Sequence, residues 1–327
     1  MAAVPPPLPQ AAVAVQVQVK PRLAENVLEA LWYGDSPEDS SDYDASQSLA
    51  AALGRAGNLK PLPGSTAEVL RLLSDPHCSA ERLVKAIDKD AATATRLIQV
   101  ANSAFFRPIK ACMTTHDALV RLGNRAVGEI VLSVAALGMF NDVAGIGRVI
   151  VDHCMGVGAI ARTLATEWSM PQTDGVFVAG MLSDVGKLFA YQAGEIDYSH
   201  IADADLEQVD RVHAFERMWV GWDHAVLGGH IVASWRLPLA VCETVAWHHQ
   251  PGRAYSTGGQ VGLGVALLRL ADACEYQLRR NPELDESFVD ELASGGAASY
   301  AGISRDVLAA MWPKLRDARS EMVKLLR

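Results

Sequence analysis

The side chains of this sequence that could carry chemistry are carboxylates and imidazoles, and one of them poses a physical problem. Asp184 lies near the end of the apolar stretch AGMLSDVGKL, residues 179–188. A carboxylate without a partner near a protein core is costly, so an acid in such a position is paired, capped or bound to a metal. Its partners must come from elsewhere in the chain.

Further candidates lie on both sides of Asp184. In chain order the six candidates are His153, Asp184, His224, His248, His249 and Asp272. A mixture of His and Asp without thiolates suits a divalent ion of Mn, Fe, Ni or Zn better than a structural cysteine site. A single His on an apolar helix face is more often a satisfied buried residue than a ligand. The set therefore indicates either a metal site or a structural hydrogen-bond network.

Helices must position these residues. Half of the 327 residues are hydrophobic, Ala and Leu dominate, and strictly alternating runs of β-branched residues are scarce. This composition favours an all-α protein. Apart from the adjacent pair His248 and His249, the candidates are separated by intervals longer than most helices. In a helical bundle each can therefore come from a different helix and converge inward.

The first part of the chain differs in composition from the rest. Residues 1–57 are rich in Pro, Ala and Gln and then in Ser and acidic residues, which predicts a mobile leader. Within it, RLAENVLEALWYG, residues 22–34, has the apolar spacing of a short amphipathic helix that could dock on the body.

The rest of the chain reads as successive helices. Residues 58–278 are predicted to form one domain of two helical lobes, 58–145 and 146–278, and residues 279–327 a helical extension interrupted at Pro313. Helix start signals in the first lobe are Ser65 with Glu68, Ser79, Asp90, and Thr114 with Asp117.

Charge and cysteine content exclude several classes of protein. The net charge is −9 and the basic residues are dispersed, so we expect no nucleic-acid binding. The five cysteines are widely spaced and without a CxxC pair, as in reduced cytosolic chains. No signal peptide and no apolar window long enough for a membrane span is evident. We expect a soluble, cytoplasmic protein with no membrane association.

Several segments resemble a known family. The entry LPGS, the turn DPHCS, and the helices DAATATRLIQVANSAFF and DALVRLG are similar to the amino-terminal half of HDOD (HD-related output) domains. The resemblance covers roughly residues 58–275. It implies an all-helical fold, with an HD-type bundle in the second lobe, and a signalling role in bacteria. Phe105 and Phe106, which end the ANSAFF segment, are expected to anchor the two lobes to each other.

The resemblance also implies roles for the six candidates. HD-GYP relatives, which hydrolyse cyclic di-GMP, hold metals with ligands in the same order. By this correspondence His153 is the first ligand, Asp184 the bridging acid, His224, His248 and His249 the later ligands and Asp272 the last, while Lys187 faces the phosphate. Three positions depart from the pattern: Ser183 replaces a ligating His, Val149 stands where some members carry Glu, and GRAYSTGGQ lacks the GYP motif.

These departures favour one function over two alternatives. The function that we favour is that of a non-catalytic regulatory protein that acts through contacts with signalling proteins of a two-component or cyclic-nucleotide pathway. Self-association as a homo-oligomer is compatible with this function. The first alternative is a metal-dependent phosphohydrolase or cyclic di-GMP phosphodiesterase, with Lys187 as its catalytic cation. The second is a nucleotide-binding sensor without hydrolysis, in which Lys187, Arg236 and Arg253 contact phosphate.

Overall fold

The computed structural model describes the second lobe and the C-terminal extension almost completely and the first lobe in large part. The described residues are 42–57, 63–73, 75, 77–103, 106, 110–140, 145–168, 170, 175–198 and 212–326. The amphipathic segment predicted at residues 22–34 and the side chain of Phe105 lie outside them.

Within these ranges all regular secondary structure is helical, which confirms the predicted all-α class. The helices are α1 Asp42–Gly57, α2 Gly64–Leu73, α3 Ala80–Ile87, α4 Ala91–Asn102, α5 Thr115–Gly138, α6 Ile146–Glu167, α7 Val176–Met181, α8 Val185–Gln192, α9 Val212–Val220, α10 His224–Ser234, α11 Leu239–Trp247, α12 Pro251–Thr257, α13 Gly259–Arg280, α14 Glu286–Ser294, α15 Gly296–Ala301 and α16 Arg305–Leu326.

Side-chain caps begin three helices of the first lobe, as predicted. Ser79, Asp90 and Thr114 each accept a hydrogen bond from a backbone N–H in the first turn, and Asp117 completes a capping box with Thr114. These bonds satisfy amide groups that have no partner within the helix. Ser65 is already inside α2, so the start signal expected there does not define that helix.

Helix α6 is the central element of the second lobe, where it packs against α7, α13 and α16. It is long and apolar enough to cross a membrane, which differs from the expectation that no such window exists. However, 78% of its most apolar window is buried inside the protein, as in the core helix of a helical domain. Its apolar composition is therefore explained by packing.

The two lobes meet at an aromatic contact. The ring of Phe106, from the first lobe, meets the ring of Phe177 edge-on with 6.3 Å between centroids. The guanidinium carbon of Arg162 lies 4.4 Å from the centroid of the Phe106 ring. Edge-on aromatic and cation–π contacts are both favourable geometries. The predicted role of Phe106 as an inter-lobe anchor is thus confirmed.

Helix α1 lies within the part of the chain that the sequence assigned to a mobile leader. It packs on α8 and α10, and the Leu49 side chain is only 1% exposed. The indole N–H of Trp222 donates a hydrogen bond to Ser48 Oγ at 3.1 Å. The acidic and Ser-rich composition suggested mobility, but the apolar face of α1 is buried in the core.

The C-terminal extension also differs from expectation at Pro313. Helix α16 runs through this proline, although a proline inside a helix costs about 3 kcal/mol or more. Trp312 and Leu315, on either side of it, are fully or almost fully buried. Burial of these side chains offsets the lost backbone hydrogen bond, so the helix continues.

We predict that Leu49→Ala lowers the free energy of unfolding by about 2 to 5 kcal/mol, because it leaves a cavity under α1. Chemical denaturation of the full chain measures this loss. The control is Gln47→Ala, whose side chain is exposed on the same helix and which should change stability by less than about 0.5 kcal/mol. Equal effects of the two substitutions would show that α1 is not docked.

A buried histidine outside the six candidates adds a pH-dependent term to stability. His230 on α10 is 7% exposed, and among the described residues its Nε2 has no hydrogen-bond partner. Burial lowers the pKa of His230 to about 4, whereas a histidine in an unfolded chain titrates near about 6.5. As the pH falls between these values, the unfolded chain takes up a proton that the folded protein does not.

We predict that this uptake removes up to about 3 kcal/mol of stability between pH 7.5 and pH 4, and that His230→Leu removes this contribution. Urea unfolding at a series of pH values measures both. The exposed His77 supplies the control, because His77→Leu should leave the pH dependence of the wild-type protein unchanged. A His230→Leu variant with the wild-type pH dependence would contradict the assignment.

Candidate functional site

The structure brings all six predicted candidates and Lys187 into one buried group, which we call the polar cluster. His153 comes from the middle of α6, Asp184 precedes α8, His224 begins α10, His248 and His249 follow α11, and Asp272 lies on α13. None of these side chains belongs to a residue more than 8% exposed. Five different helices therefore bring together residues that are far apart in the sequence, as expected for a helical bundle.

Asp184 is at the centre of the polar cluster. Its Oδ2 lies 2.8 Å from Lys187 Nζ and 3.6 Å from His153 Nε2, and its Oδ1 lies 3.2 Å from His224 Nε2. Burial opposes ionisation of this carboxyl, but the charge of Lys187 and then the bond to His224 hold its pKa well below the usual range. The partners that the isolated acid requires are therefore internal basic groups.

A glycine allows the helices to approach closely enough for these contacts. A Cβ atom on Gly186, two residues after Asp184, would lie 2.0 Å from the carbonyl oxygen of His224. No side chain fits in that space, so only glycine lets α8 and α10 cross here. The close approach brings Asp184 and His224 into contact.

His153 and the acids around it form the first pole of the polar cluster. Its Nε2 lies 2.9 Å from Asp272 Oδ1, and its Nδ1 is hydrogen-bonded to Glu275 Oε2. Burial disfavours the charged imidazole, but Glu275 and then Asp272 outweigh it and raise the pKa of His153 to about 10. Asp272 and Glu275 are three residues apart on α13, so both carboxylates lie on the same face of that helix.

His224, on the other side of Asp184, belongs to what we call the second pole of the polar cluster. As Glu275 does for His153, a buried glutamate binds the Nδ1 atom of His224. Glu216 Oε2 accepts from the His224 backbone N–H at 2.9 Å and lies 2.6 Å from the ring Nδ1. The Tyr198 hydroxyl donates to the other Glu216 oxygen at 2.6 Å. Despite burial, Glu216 raises the pKa of His224 to about 9. The ring is thereby fixed with Nε2 toward Asp184.

Three histidines complete the second pole. His224, His248 and His249 each offer one ligand atom, and these atoms lie within 4.8 Å of one another. The Nε2 atoms of His224 and His249 are 3.1 Å apart. His248 Nδ1 is 2.6 Å from the Val245 carbonyl oxygen, which can only accept, so Nδ1 carries the proton and Nε2 has a free lone pair. Burial lowers the pKa of His248 to about 4.

The second pole suits one divalent ion. Its donors are the imidazoles of His224, His248 and His249, with the Asp184 carboxylate beside them. Proteins use this combination of ligands for Zn and other first-row ions. Glu216 supports His224 as outer carboxylates support metal-bound histidines. The metal-binding role of these residues remains a prediction.

The first pole does not suit a second ion. The Ser183 hydroxyl, where the family pattern has an imidazole, donates to the Gly180 carbonyl oxygen at 2.9 Å and so is turned back into its own turn. Lys187 Nζ occupies the Oδ2 side of Asp184. A metal at this pole would lack one ligand and would face an ammonium group.

The structure places Lys187 beside Asp184, and the contact with a phosphate that the resemblance implies for it stays a prediction. The side chain is 5% exposed and paired with Asp184. Of the two arginines considered with it, Arg236 is exposed, and the Arg253 guanidinium carbon lies 4.7 Å from the centroid of the Trp247 ring.

Sequence reasoning missed several residues of the site. They are Glu275, Glu216, Tyr198, Arg319, and His213, whose ring stacks on that of His249 with centroids 4.7 Å apart. The spacing of Glu275 from Asp272 was a usable signal, because residues three apart share a helix face. Glu216 and Arg319 have no such local signal, since their partners come from other elements.

Solved structures with the same fold are known. A protein of Shewanella amazonensis SB2B, described as a candidate phosphohydrolase, is similar with a TM-score of 0.66 and 22% identity over 85% of this chain and 98% of its own. An HDOD domain protein of unknown function from Geobacter sulfurreducens has a TM-score of 0.64 and 20% identity over 85% of this chain and 99% of its own. At these identities the likeness shows the fold alone.

The sequence comparisons identify the family. An uncharacterized protein of Treponema pallidum (strain Nichols) is 24% identical over 203 residues, which are 62% of this chain and 40% of that protein. The chain thus spans less than half the length of this curated relative. Residues 59–251, more than half of the 327, match the HDOD domain. The chain belongs to the HDOD domain family.

Proposed function

We propose that this protein is a non-catalytic signalling protein of the HDOD family that acts in the cytoplasm through contacts with other proteins. The observation that carries the proposal is the buried ion pair between Lys187 and Asp184, with 2.8 Å between Nζ and Oδ2. The acid that would bridge two metals is engaged by an internal cation, and Ser183 does not replace the missing imidazole.

The charges of the polar cluster support a structural role. Its four buried carboxylates are those of Asp184, Glu216, Asp272 and Glu275. Lys187, Arg319, His153 and His224 are the basic groups that face them. Buried charges are tolerated when they are paired and hydrogen-bonded. Each of the four carboxylates has at least one such basic neighbour.

Exposed apolar side chains support action through protein contacts. On the described surface, Met113 and Val120 beside the start of α5 are 78% and 73% exposed, and Met218 and Trp219 on α9 are 70% and 54% exposed. Large side chains of this kind are enriched where proteins bind one another. The partners we propose are signalling proteins of a two-component or cyclic-nucleotide pathway.

A second candidate function is metal-dependent phosphoester hydrolysis, and the three histidines of the second pole favour it. Asp184, His224, His248 and His249 would hold the ion, which would supply Lewis acidity toward a phosphoester oxygen. The similar Shewanella protein described as a candidate phosphohydrolase is consistent with this alternative. Its weak point is the first pole, where Ser183 and Lys187 leave no second metal site.

The two functions differ in metal content and turnover. We expect protein purified without chelators to show no hydrolysis of cyclic di-GMP or of a chromogenic phosphodiester in the presence of Mn²⁺, Fe²⁺, Ni²⁺ or Zn²⁺ beyond that of an Asp184→Asn, His248→Ala double variant. We also expect EDTA to leave the thermal midpoint of the wild-type protein unchanged. Elemental analysis, product chromatography and thermal unfolding provide the three readouts.

Metal binding and turnover that depend on Asp184 and His248 would contradict the proposed function. Stoichiometric metal that disappears in the double variant, together with turnover lost in the same variant, would replace the proposed function by the hydrolase. Metal without turnover would leave the protein non-catalytic and place a structural ion at the second pole. Circular dichroism of both proteins ensures that folded samples are compared.

The ion pair itself makes a separate prediction. Lys187→Met should lower the free energy of unfolding by about 3 to 5 kcal/mol, because it leaves the Asp184 carboxylate buried without its ammonium partner. The matched control is Lys314→Met, which breaks an exposed ion pair with Glu167 and should cost less than about 1 kcal/mol. Urea denaturation in EDTA measures both, and similar losses would show that Lys187 is not the main counter-charge of Asp184.

A further inference from the structure

A residue of the last helix reaches the first pole of the polar cluster. Arg319 lies on α16, which packs along α6. Its Nε donates to Glu275 Oε1 at 3.0 Å, and its Nη2 lies 2.9 Å from the same oxygen. The Glu275 side chain is fully buried, and that of Arg319 is 19% exposed. The guanidinium therefore stabilises the negative charge of Glu275 at Oε1 and leaves Oε2 for another partner.

The same carboxylate holds His153 with its other oxygen. Glu275 Oε2 is hydrogen-bonded to His153 Nδ1, and His153 Nε2 faces Asp272 Oδ1 at 2.9 Å. Burial opposes the ionisation of Glu275, but His153 and then Arg319 keep its pKa below the usual value. One buried side chain therefore connects the C-terminal helix to the imidazole at the first pole.

A glycine on α6 makes room for this connection. A Cβ atom on Gly156 would lie 2.6 Å from Glu275 Cγ and 3.3 Å from Arg319 Cγ. Gly156 is three residues after His153, so the two share a face of α6. A larger residue at this position would displace both Glu275 and Arg319. The contact is thus built into three helices, α6, α13 and α16.

The physical consequence concerns the orientation of the imidazole ring. A histidine whose Nδ1 is held by a carboxylate has its Nε2 direction fixed, and the carboxylate must itself be held to do this. Without Arg319, Glu275 would be a buried acid that is hydrogen-bonded to His153, with the charge of Arg279 also acting on it. It could then turn, and the ring would no longer be held toward Asp272 and Asp184.

We propose that Arg319 is a positioning residue, which sets the ring orientation of His153 through Glu275 and thereby makes the C-terminal helix α16 part of the polar cluster. This inference goes beyond the proposed signalling function and holds whether or not the cluster binds an ion. It gives α16 a defined connection to the site, by which contacts on that helix can alter the first pole.

The test observes the His153 ring directly. The full chain is labelled with ¹⁵N-histidine, and the ring signals are recorded at one fixed pH, with those of His153 identified by their loss in His153→Gln. We expect Arg319→Met to shift the His153 Nδ1 signal in the same direction as Glu275→Gln does. Arg319→Lys, which keeps the charge, should give a smaller shift. Arg316→Met is the control, because Arg316 is partly exposed and pairs with its neighbour Asp317, and it should give none.

A double variant separates positioning from general loosening. If Arg319 acts through Glu275, Arg319→Met should cause no additional shift of the His153 signal in the Glu275→Gln background. An unchanged His153 signal in folded Arg319→Met, or an equal added shift in the double variant, would overturn the proposal. Should Arg319→Met fail to fold, Arg319→Gln takes its place, since this partly exposed position can retain a neutral N–H donor. Metal content and turnover are not readouts here, so the outcome is independent of the proposed function.

Discussion

The structure of the second lobe depends on the burial of one carboxylate, that of Asp184. A charge in this position is stable only if basic groups surround it, and here an ammonium and two imidazoles do so. Those groups come from α6, α8 and α10, so the requirement of one side chain fixes how three helices meet. The apolar core around them supplies most of the stabilisation by burial, while the pairing of the buried charges requires these three helices to meet at Asp184.

The two poles of the polar cluster share one design but differ in what they can hold. At each pole a buried glutamate supports an imidazole through Nδ1, so that Nε2 faces Asp184. The second pole adds two further imidazoles and forms a ligand set, whereas the first pole contains Lys187 and a serine that is bonded to its own turn. A protein cation thus stands where a metal would otherwise balance the acid. The two poles therefore differ in the groups that face Asp184, which are imidazoles at the second pole and an ammonium group with one imidazole at the first.

Much of the fold and of the cluster could be predicted from sequence, because the relevant signals are local or carried by residue type. The side chains of Ser79, Asp90 and Thr114 predict helix starts, because each can accept a hydrogen bond from the first turn. The order of the histidines and acids along the chain predicted the polar cluster. The partners Glu216 and Arg319 could not be predicted, since nothing in their neighbourhood distinguishes them from solvated charges. Helix α1 and the continuity of α16 at Pro313 were missed for a related reason: composition and propensity are weak beside the burial of Leu49 and Trp312 in tertiary contacts.

The positions of α1, α13 and α16 have a consequence for the boundaries of the folding unit. The segment that matches the HDOD domain begins after α1 and ends before Asp272, Glu275 and Arg319. An excised fragment of residues 59–251 would expose the surface that Leu49 covers and would leave His153 without Asp272 and Glu275. The segment that matches the family model is therefore shorter than the set of helices that packs around the polar cluster.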